Sequence, residues 1–404
     1  MLNTIKECRD TAKKLAIRTA EGRRDEVLEE LVTLRRGGEI TDMSLSFRDI
    51  FEAAVDNDND GYGAAAIREM RDAKKRGTSF AMEAGGDAIT TANFTAIIGQ
   101  IVFADKLDAF ENPAFIGDKL VKQIPATTGQ QEMIPGISAL GDEAENVGEN
   151  EEYPVVQYNE NYIMLPEILK NGFVMNITEE AIFEDKTGMI LDNFGKAINS
   201  MALTQEKERL RTALGVDNSY RRNGGPIQNT YANSHTQGDG DNLIASNPLT
   251  DYTSLNAAKN AFADLVDPDT GEPIDLGQAY QVVIPDPLDW QWAMIQGATG
   301  YATQPVRAGS AVQMQFSNPI NGGNRTYEAL SNPWVASVVG SDTTWFIGAF
   351  QKAFVERVIY QAQVQTQDRN SDLSFARDII SRVKVRKRTR CGVKDWRPVQ
   401  KHTA

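Results

Sequence analysis

Two imidazoles and two thiols are the whole stock of side chains that most often act as base, shuttle, nucleophile or soft metal ligand near neutral pH in this 404-residue chain. His235 stands in a run rich in Gly, Asn and Ser, and His402 lies among the last residues. Neither has a partner close in sequence, and both are expected at the surface. Cys8 and Cys391 form no C-x-x-C pair and offer neither a zinc set nor a disulfide framework, a usage that fits a reducing cytoplasm. Gly188 to Lys196 contains glycines and a lysine, but their spacing is wrong for a phosphate-cradling loop. Ala197 also occupies the place of the hydroxyl that would hold magnesium. That segment reads as helix. No G-x-S-x-G elbow, H-E-x-x-H pair or dinucleotide G-x-G-x-x-G is present. Carboxylates are plentiful, but spacing singles out no dyad, so a carboxylate hydrolase is the least favoured class and no cofactor is expected.

One local pattern has metal-ligand spacing. Asp56, Asn57, Asp58, Asn59, Asp60 and Gly61 follow an amphipathic run and match the first half of a calcium loop, alternating oxygen ligands with glycine at the sixth position. The second half fails, because the twelfth position, which needs a bidentate Glu, is Ile67 and Glu69 comes two residues late. The pattern reads first as an Asx-rich helix-to-helix turn, with weak calcium binding at Asp56, Asp58 and Asp60 as the second reading.

The elements that would position any site are set by composition and periodicity. With 42 basic against 56 acidic residues the net charge is −14, so contact with a polyanion requires a local patch. The N-terminal stretch mixes charge with apolar residues in a way no signal peptide does, and no window approaches the roughly 18 unbroken apolar residues of a membrane span. Residues 1–80 read as a charged helical arm with stripes at Val27, Leu31 and Leu34. Residues 81–127 read as a strap, which Pro113 and Pro125 break into an extended lead and a short helix. The longest helix spans Gly188 to Leu214, with Phe194, Ile198, Met201 and Leu210 on its apolar stripe and Gly215 as its stop. Plain core packing is the expected role of that stripe. An α/β unit follows, with a helix near 254–266, a buried strand at 281–284 and a helix near 288–295. Strands are then expected at 327–339, 344–350, 354–364 and 380–390.

Charge is distributed unevenly along the chain. Between Gln123 and Leu169 there is no Lys or Arg, whereas Asp142, Glu143, Glu145, Glu149, Glu151 and Glu152 cluster between two strand-like runs. Residues 128–170 therefore read as a long hairpin leaving the body, with an acidic tip that either stays solvated or meets a basic partner. Such a surface exists: Arg382, Lys384, Arg386, Lys387, Arg388, Arg390, Lys394, Arg397 and Lys401 face only Asp395 within one stretch. The alternation of Val383 and Val385 with Arg382, Lys384 and Arg386 is that of a half-buried strand.

This order of elements, with the segments IGDKLVKQIP (116–125), GFVMNITEEAIFEDKTG (172–188) and YQVVIPDPL (280–288), resembles the major capsid proteins of tailed bacteriophages, the Hong Kong 97-type α+β fold shared with encapsulin shells. The resemblance runs from about 94 to 398. It implies an N-arm (81–127), an extended loop reaching a neighbouring subunit (128–170), a peripheral domain carrying the spine helix (171–224), an axial domain (225–340), and C-terminal strands completing the peripheral domain (341–404).

The function the resemblance implies is that of a non-enzymatic virion subunit, self-assembling as hexamers and pentamers into an icosahedral shell around the genome. An encapsulin-like compartment is the alternative. Portal and decoration proteins, loose contact with packaged DNA, and assembly in the bacterial cytoplasm away from any membrane belong to the same implication. The acidic loop is expected to dock on Arg382, Lys384, Arg386 and Arg388 of the next subunit, or on Arg221 and Arg222; DNA is the rival ligand of the basic strand. Some relatives crosslink through a hairpin lysine, and the absence of one between Gln123 and Leu169 implies a non-covalent shell. Residues 1–80 correspond to a segment that many relatives remove, and are expected as an inner arm or a built-in scaffold.

Overall fold

An α+β architecture is seen in the computed structural model, which describes chiefly residues 114–136, 162–178, 189–235, 240–266, 279–297, 300–306, 310–316, 326–367 and 379–404, with scattered positions elsewhere. Asp56, Asp58, Asp60 and the hairpin acids Asp142, Glu143, Glu145, Glu149, Glu151 and Glu152 lie outside the described residues, as does nearly all of 1–80. In chain order the elements are α1 (Gly117–Leu120), β1 (Lys122–Pro125), β2 (Glu132–Pro135), β3 (Tyr162–Leu165), β4 (Lys170–Thr178), α2 (Met189–Ala213) and β5 (Leu243–Ile244). Then come α3 (Tyr252–Ala263), β6 (Ala279–Pro285), α4 (Asp289–Gly297), β7 (Gly300–Val306), β8 (Ser310–Phe316), β9 (Thr326–Asn332) and α5 (Pro333–Val339). The series ends with β10 (Trp345–Gly348), α6 (Phe350–Ala353), β11 (Phe354–Gln367), β12 (Ile379–Val393) and β13 (Val399–His402).

The chain divides into two compact units. The first takes residues up to Asn112, Lys170–Leu203 and Tyr360–Arg388; the second takes Pro113–Leu169, Thr204–Ile359 and Thr389–Ala404. In the first unit β12 lies between β4 and the later part of β11, and it pairs antiparallel with β4 from Ile379↔Thr178 to Arg388↔Lys170. Described residues at 98–99, 101–102, 105–106 and 109–110 are helical, not the extended lead expected there. The reason is periodicity: Ile98, Ile101, Val102, Asp105 and Ala109 are buried at spacings that place them on one helical face.

The second unit is built around a five-stranded sheet of order β5-β13-β10-β6-β9. Parallel pairing of β6 with β9 and antiparallel pairing of β10 with β6 and β13 leave β6 an interior strand. Its run Val282–Val283–Ile284 is accordingly apolar throughout and fully buried. Leu255, Ala258 and Phe262 of α3, Trp292 and Ile295 of α4, and Val335 of α5 join the same core. Within residues 341–404, β10 and β13 are interior strands of this sheet, whereas β12 pairs with β4. Residues 333–339, expected as strand, form α5. Asn332 accepts a hydrogen bond from Trp334 N at 2.8 Å as N-cap, Pro333 fits the first turn, and Gly340 ends the helix at φ 75°.

The long helix α2 runs for 25 residues, about 37 Å. Phe194, Ile198, Met201 and Leu210 on its stripe are buried, as are Ala213 and Leu214 at its end. Gly215, at φ 71°, closes it in a Schellman turn in which Val216 N donates to Arg211 O at 2.8 Å and Gly215 N to Thr212 O at 3.3 Å. Among the described residues no helix is long and apolar enough to cross a membrane.

Candidate assembly interface

Strand pleating sorts the basic run. On β12, Ser381, Val383, Val385, Lys387 and Thr389 are buried, whereas Arg382, Lys384, Arg386 and Arg388 stand half-exposed on the other face. In register with those four cations β4 presents Asn176, Val174, Gly172 and Lys170, so no carboxylate faces them across the ladder. Arg382 Nε donates to Asn176 Oδ1 at 3.0 Å. The Arg386 guanidinium sits 5.0 Å from the centroid of the Tyr360 ring. Gly172 opposite Arg386 keeps the two strands close, since a Cβ there would lie 2.6 Å from Val385 O. The outcome is a cationic sheet face with an exposed Val174 beside it on the edge strand β4.

The other cations of that run do different work. Lys387 is buried on the inner face, Arg390 reaches Glu208 at 3.4 Å, Arg397 pairs with Asp395 at 3.0 Å, and Lys401 lies 5.8 Å from the Phe346 ring. Spacing alone groups these cations together; burial separates them. Arg221, the other expected receptor, has its guanidinium occupied by the carbonyls of Gly225 at 2.7 Å and Gly224 at 3.0 Å. Its neighbour Arg222 makes an isolated antiparallel bridge to Ile163 of β3, with Met164 N donating to Arg221 O at 2.9 Å.

At the hairpin base β2 pairs antiparallel with β3, Met133 opposite Met164 and Ile134 opposite Ile163. Ile163 and Leu165 point into the core and Met133 is 61% exposed, so the mini-sheet has one apolar face outside. Beneath it, Arg357 of β11 is 1% exposed and donates to the carbonyls of Gln130 and Pro166 at 3.0 Å each, to Thr128 O at 3.2 Å, and to the Glu132 carboxylate.

A second buried network ties α2 to α1 and β11. Glu206 accepts the backbone N–H groups of Ile116 and Gly117 at 2.9 and 3.0 Å. Burial raises its carboxyl above the usual range, and those two bonds offset this only in part. Arg209 donates to Glu356 at 2.7 Å and meets Asp118 at 2.9 Å, and Gln205 donates to the other Glu356 oxygen at 3.2 Å. Burial alone would lower the Arg209 guanidinium, and the facing carboxylates outweigh it and hold it above its ordinary value. Plain packing, the role expected of the stripe, therefore covers only part of the helix: Gln205, Glu206 and Arg209 form its polar centre. The sequence carries no local signal for this, because the partners lie 89 to 151 residues away.

Both histidines are interior, contrary to the surface placement expected for them. His235 stacks on Trp396 at 3.6 Å and its Nε2 donates to Asn242 Oδ1 at 2.8 Å. His402 stacks on Trp345 at 4.1 Å and its Nδ1 accepts from Asn247 Nδ2 at 3.0 Å. Tryptophans distant in sequence, with Asn242 seven residues from His235 and Asn247 155 from His402, give them neutral, desolvated seats. Burial pushes His402 down to about 3 and lowers His235 as well. Among the described residues no group of three or more His, Cys, Asp and Glu is placed to hold a metal ion.

The charges described so far either lock elements together inside the chain or line an outward face. Residues 163–402, more than half of the chain, match the family described as phage capsid protein. No curated protein matches. Among solved structures the chain is similar to one from Gordonia phage Cozz (12% identity, 72% of this chain and 86% of that chain, TM-score 0.41). It is similar also to the capsid asymmetric unit of Cyanophage Pam1 (12%, 72% and 92%, TM-score 0.41) and to a virus-like particle from Pyrococcus furiosus (13%, 75% and 98%, TM-score 0.40). The protein is a structural component of a virion and not an enzyme. It belongs to the phage capsid protein family.

Proposed function

We propose that the chain is the major capsid subunit of a tailed double-stranded DNA phage, assembling in the host cytoplasm as hexamers and pentamers of an icosahedral, Hong Kong 97-type shell that encloses the genome. Family membership across 163–402 carries this reading. The shell is non-covalent, since no lysine stands between Gln123 and Leu169 for an isopeptide bond, and portal and decoration proteins complete the head. Electron microscopy of purified particles tests the reading: DNA-filled heads support it, whereas closed shells holding a protein cargo would assign the chain to an encapsulin-like compartment.

Within that shell the cationic face of β12 receives the acidic loop of the adjacent subunit, Glu149, Glu151 and Glu152 in particular. The support is charge complementarity: Arg382, Lys384, Arg386 and Arg388 have no carboxylate in register on β4. Arg221 is the poorer receptor because two carbonyls already hold it. Exposed ion pairs of this kind are worth about 1 kcal/mol or less each, so they set register and rate while apolar burial supplies most of the assembly energy. Neutralising Glu149, Glu151 and Glu152 together is expected to slow assembly and flatten its salt dependence. Unchanged rate and salt dependence would remove this pairing. Salt-dependent DNA binding by isolated subunits, lost on neutralising Arg386 and Arg388, would hand the face to the genome instead.

A further inference from the structure

The two described legs of the hairpin lie side by side as a neck, and one side chain grips both. On the outgoing leg Arg357 holds Thr128 O, Gln130 O and the Glu132 carboxylate; on the returning leg it holds Pro166 O. A guanidinium has five N–H donors in a rigid plane, and four of them are spent on these partners. A backbone bond from Ile168 N to Gly129 O, at 2.9 Å, closes the neck just beyond. The strand carrying Arg357 is anchored independently: β11 runs parallel to β1 with Arg357 opposite Ile124, and Ala126 N donates to Val358 O at 2.9 Å.

From this arrangement we infer that Arg357 is the positioning residue of the hairpin, fixing the direction in which it leaves the second unit before any neighbour is met. Without a fixed exit, the chain between the two legs would sample many directions, and each productive encounter between subunits would bear the entropy of selecting one. A preorganised neck removes that term from assembly. A planar fork is needed, because a lysine ammonium cannot span carbonyls on both legs in one plane. The partners are mostly backbone oxygens, so the device depends on Arg357 and on little else in the sequence of the neck. The inference rests on the self-assembly proposed above, but its first readout does not.

The experiment uses the full chain with Arg357→Lys and, as a milder lesion, Glu132→Gln. Hydrogen exchange on unassembled subunits reads the neck at Ile168 and the sheet core at Val283 and Phe346, and light scattering reads shell growth per folded subunit. For Arg357→Lys, exchange at Ile168 is expected to rise about tenfold or more, the scale of losing one charge-assisted hydrogen bond. Exchange in the core should stay unchanged and assembly should slow by a similar factor. Glu132→Gln should move both readouts in the same direction by less. An Ile168 amide as protected as in the parent, or an open neck with assembly at the parental rate, overturns the inference. A parent chain that forms no shells at all overturns the proposed function and leaves the exchange result to judge the neck.

Discussion

Arg209 and Arg386 carry the same guanidinium into opposite circumstances. Arg209 lies in the second unit, almost without solvent, with Glu356 at 2.7 Å and Asp118 at 2.9 Å. Arg386 lies in the first unit on a half-open sheet face, with a tyrosine ring and Gln363 for company and glycine opposite it in register. A desolvated charge is tolerable only with full compensation inside the same chain, so the first arrangement is a fastening. A solvated one need not be matched, and the four half-exposed cations of β12 have no carboxylate in register on β4. The comparison separates charges that are buried and compensated from charges that stay half-exposed.

Three measurements press on that separation. The largest effect is expected from Glu356→Ala, which strands Arg209 in the interior: a loss of about 3–5 kcal/mol of subunit stability, read by urea unfolding. A loss below about 1 kcal/mol would mean that water or Asp118 already compensates Arg209 and that the two regions differ less than their burial suggests.

The next concerns protons. The pKa of His402 in the folded chain is lowered to about 3, so between that value and its ordinary 6.5 the unfolded chain binds a proton that the folded chain refuses. Stability therefore falls as pH drops from about 6.5 towards 3, by up to about 1.4 kcal/mol per unit from this group. His235, shifted in the same direction by burial, adds to the slope. Thermal unfolding at pH 7 and pH 5 should show a larger decrease in the parent than in His402→Gln, and equal decreases would place the imidazole in contact with water.

The smallest effect belongs to the open face. Arg386→Gln with Arg388→Gln should change subunit stability by no more than about 0.5 kcal/mol, while reducing the salt dependence of assembly or of DNA binding. A large loss of stability there would convert the surface charges into structural ones and erase the contrast.

How far the sequence foretold this depended on the reach of each signal. The alternation on β12 is local, and the strand, its buried valines and its outward cations follow from it directly. The stripe from Phe194 to Leu214 likewise predicts α2 to within a residue at each end. The polar centre of that helix was illegible because Glu206 and Arg209 acquire meaning only from Ile116, Gly117 and Glu356. His235 was misjudged for the same reason, since its Gly-rich surroundings conceal a stacking partner at Trp396. The helix at 333–339 is a different failure: Asn332, Pro333 and Gly340 are start and stop signals in plain view, and Val335, Val338 and Val339 outweighed them as apparent strand formers. The opposite charges of the hairpin and β12 are readable in sequence, whereas Arg357, the one arginine of β11, gives no sign of the neck it grips.

The amide of Asn242 has a consequence for synthesis. Its Nδ2 donates to Thr230 O, and also to Trp396 O and Val399 O, carbonyls made 154 and 157 residues later. Translation at about 5–20 residues per second separates these partners by on the order of ten seconds or more. Until β13 emerges from the ribosome, β5 has no strand to join and the seats of Trp345 and His235 stay wet. The nascent chain must therefore hold an unfinished sheet edge through that interval, a period in which chaperone cover has its greatest value.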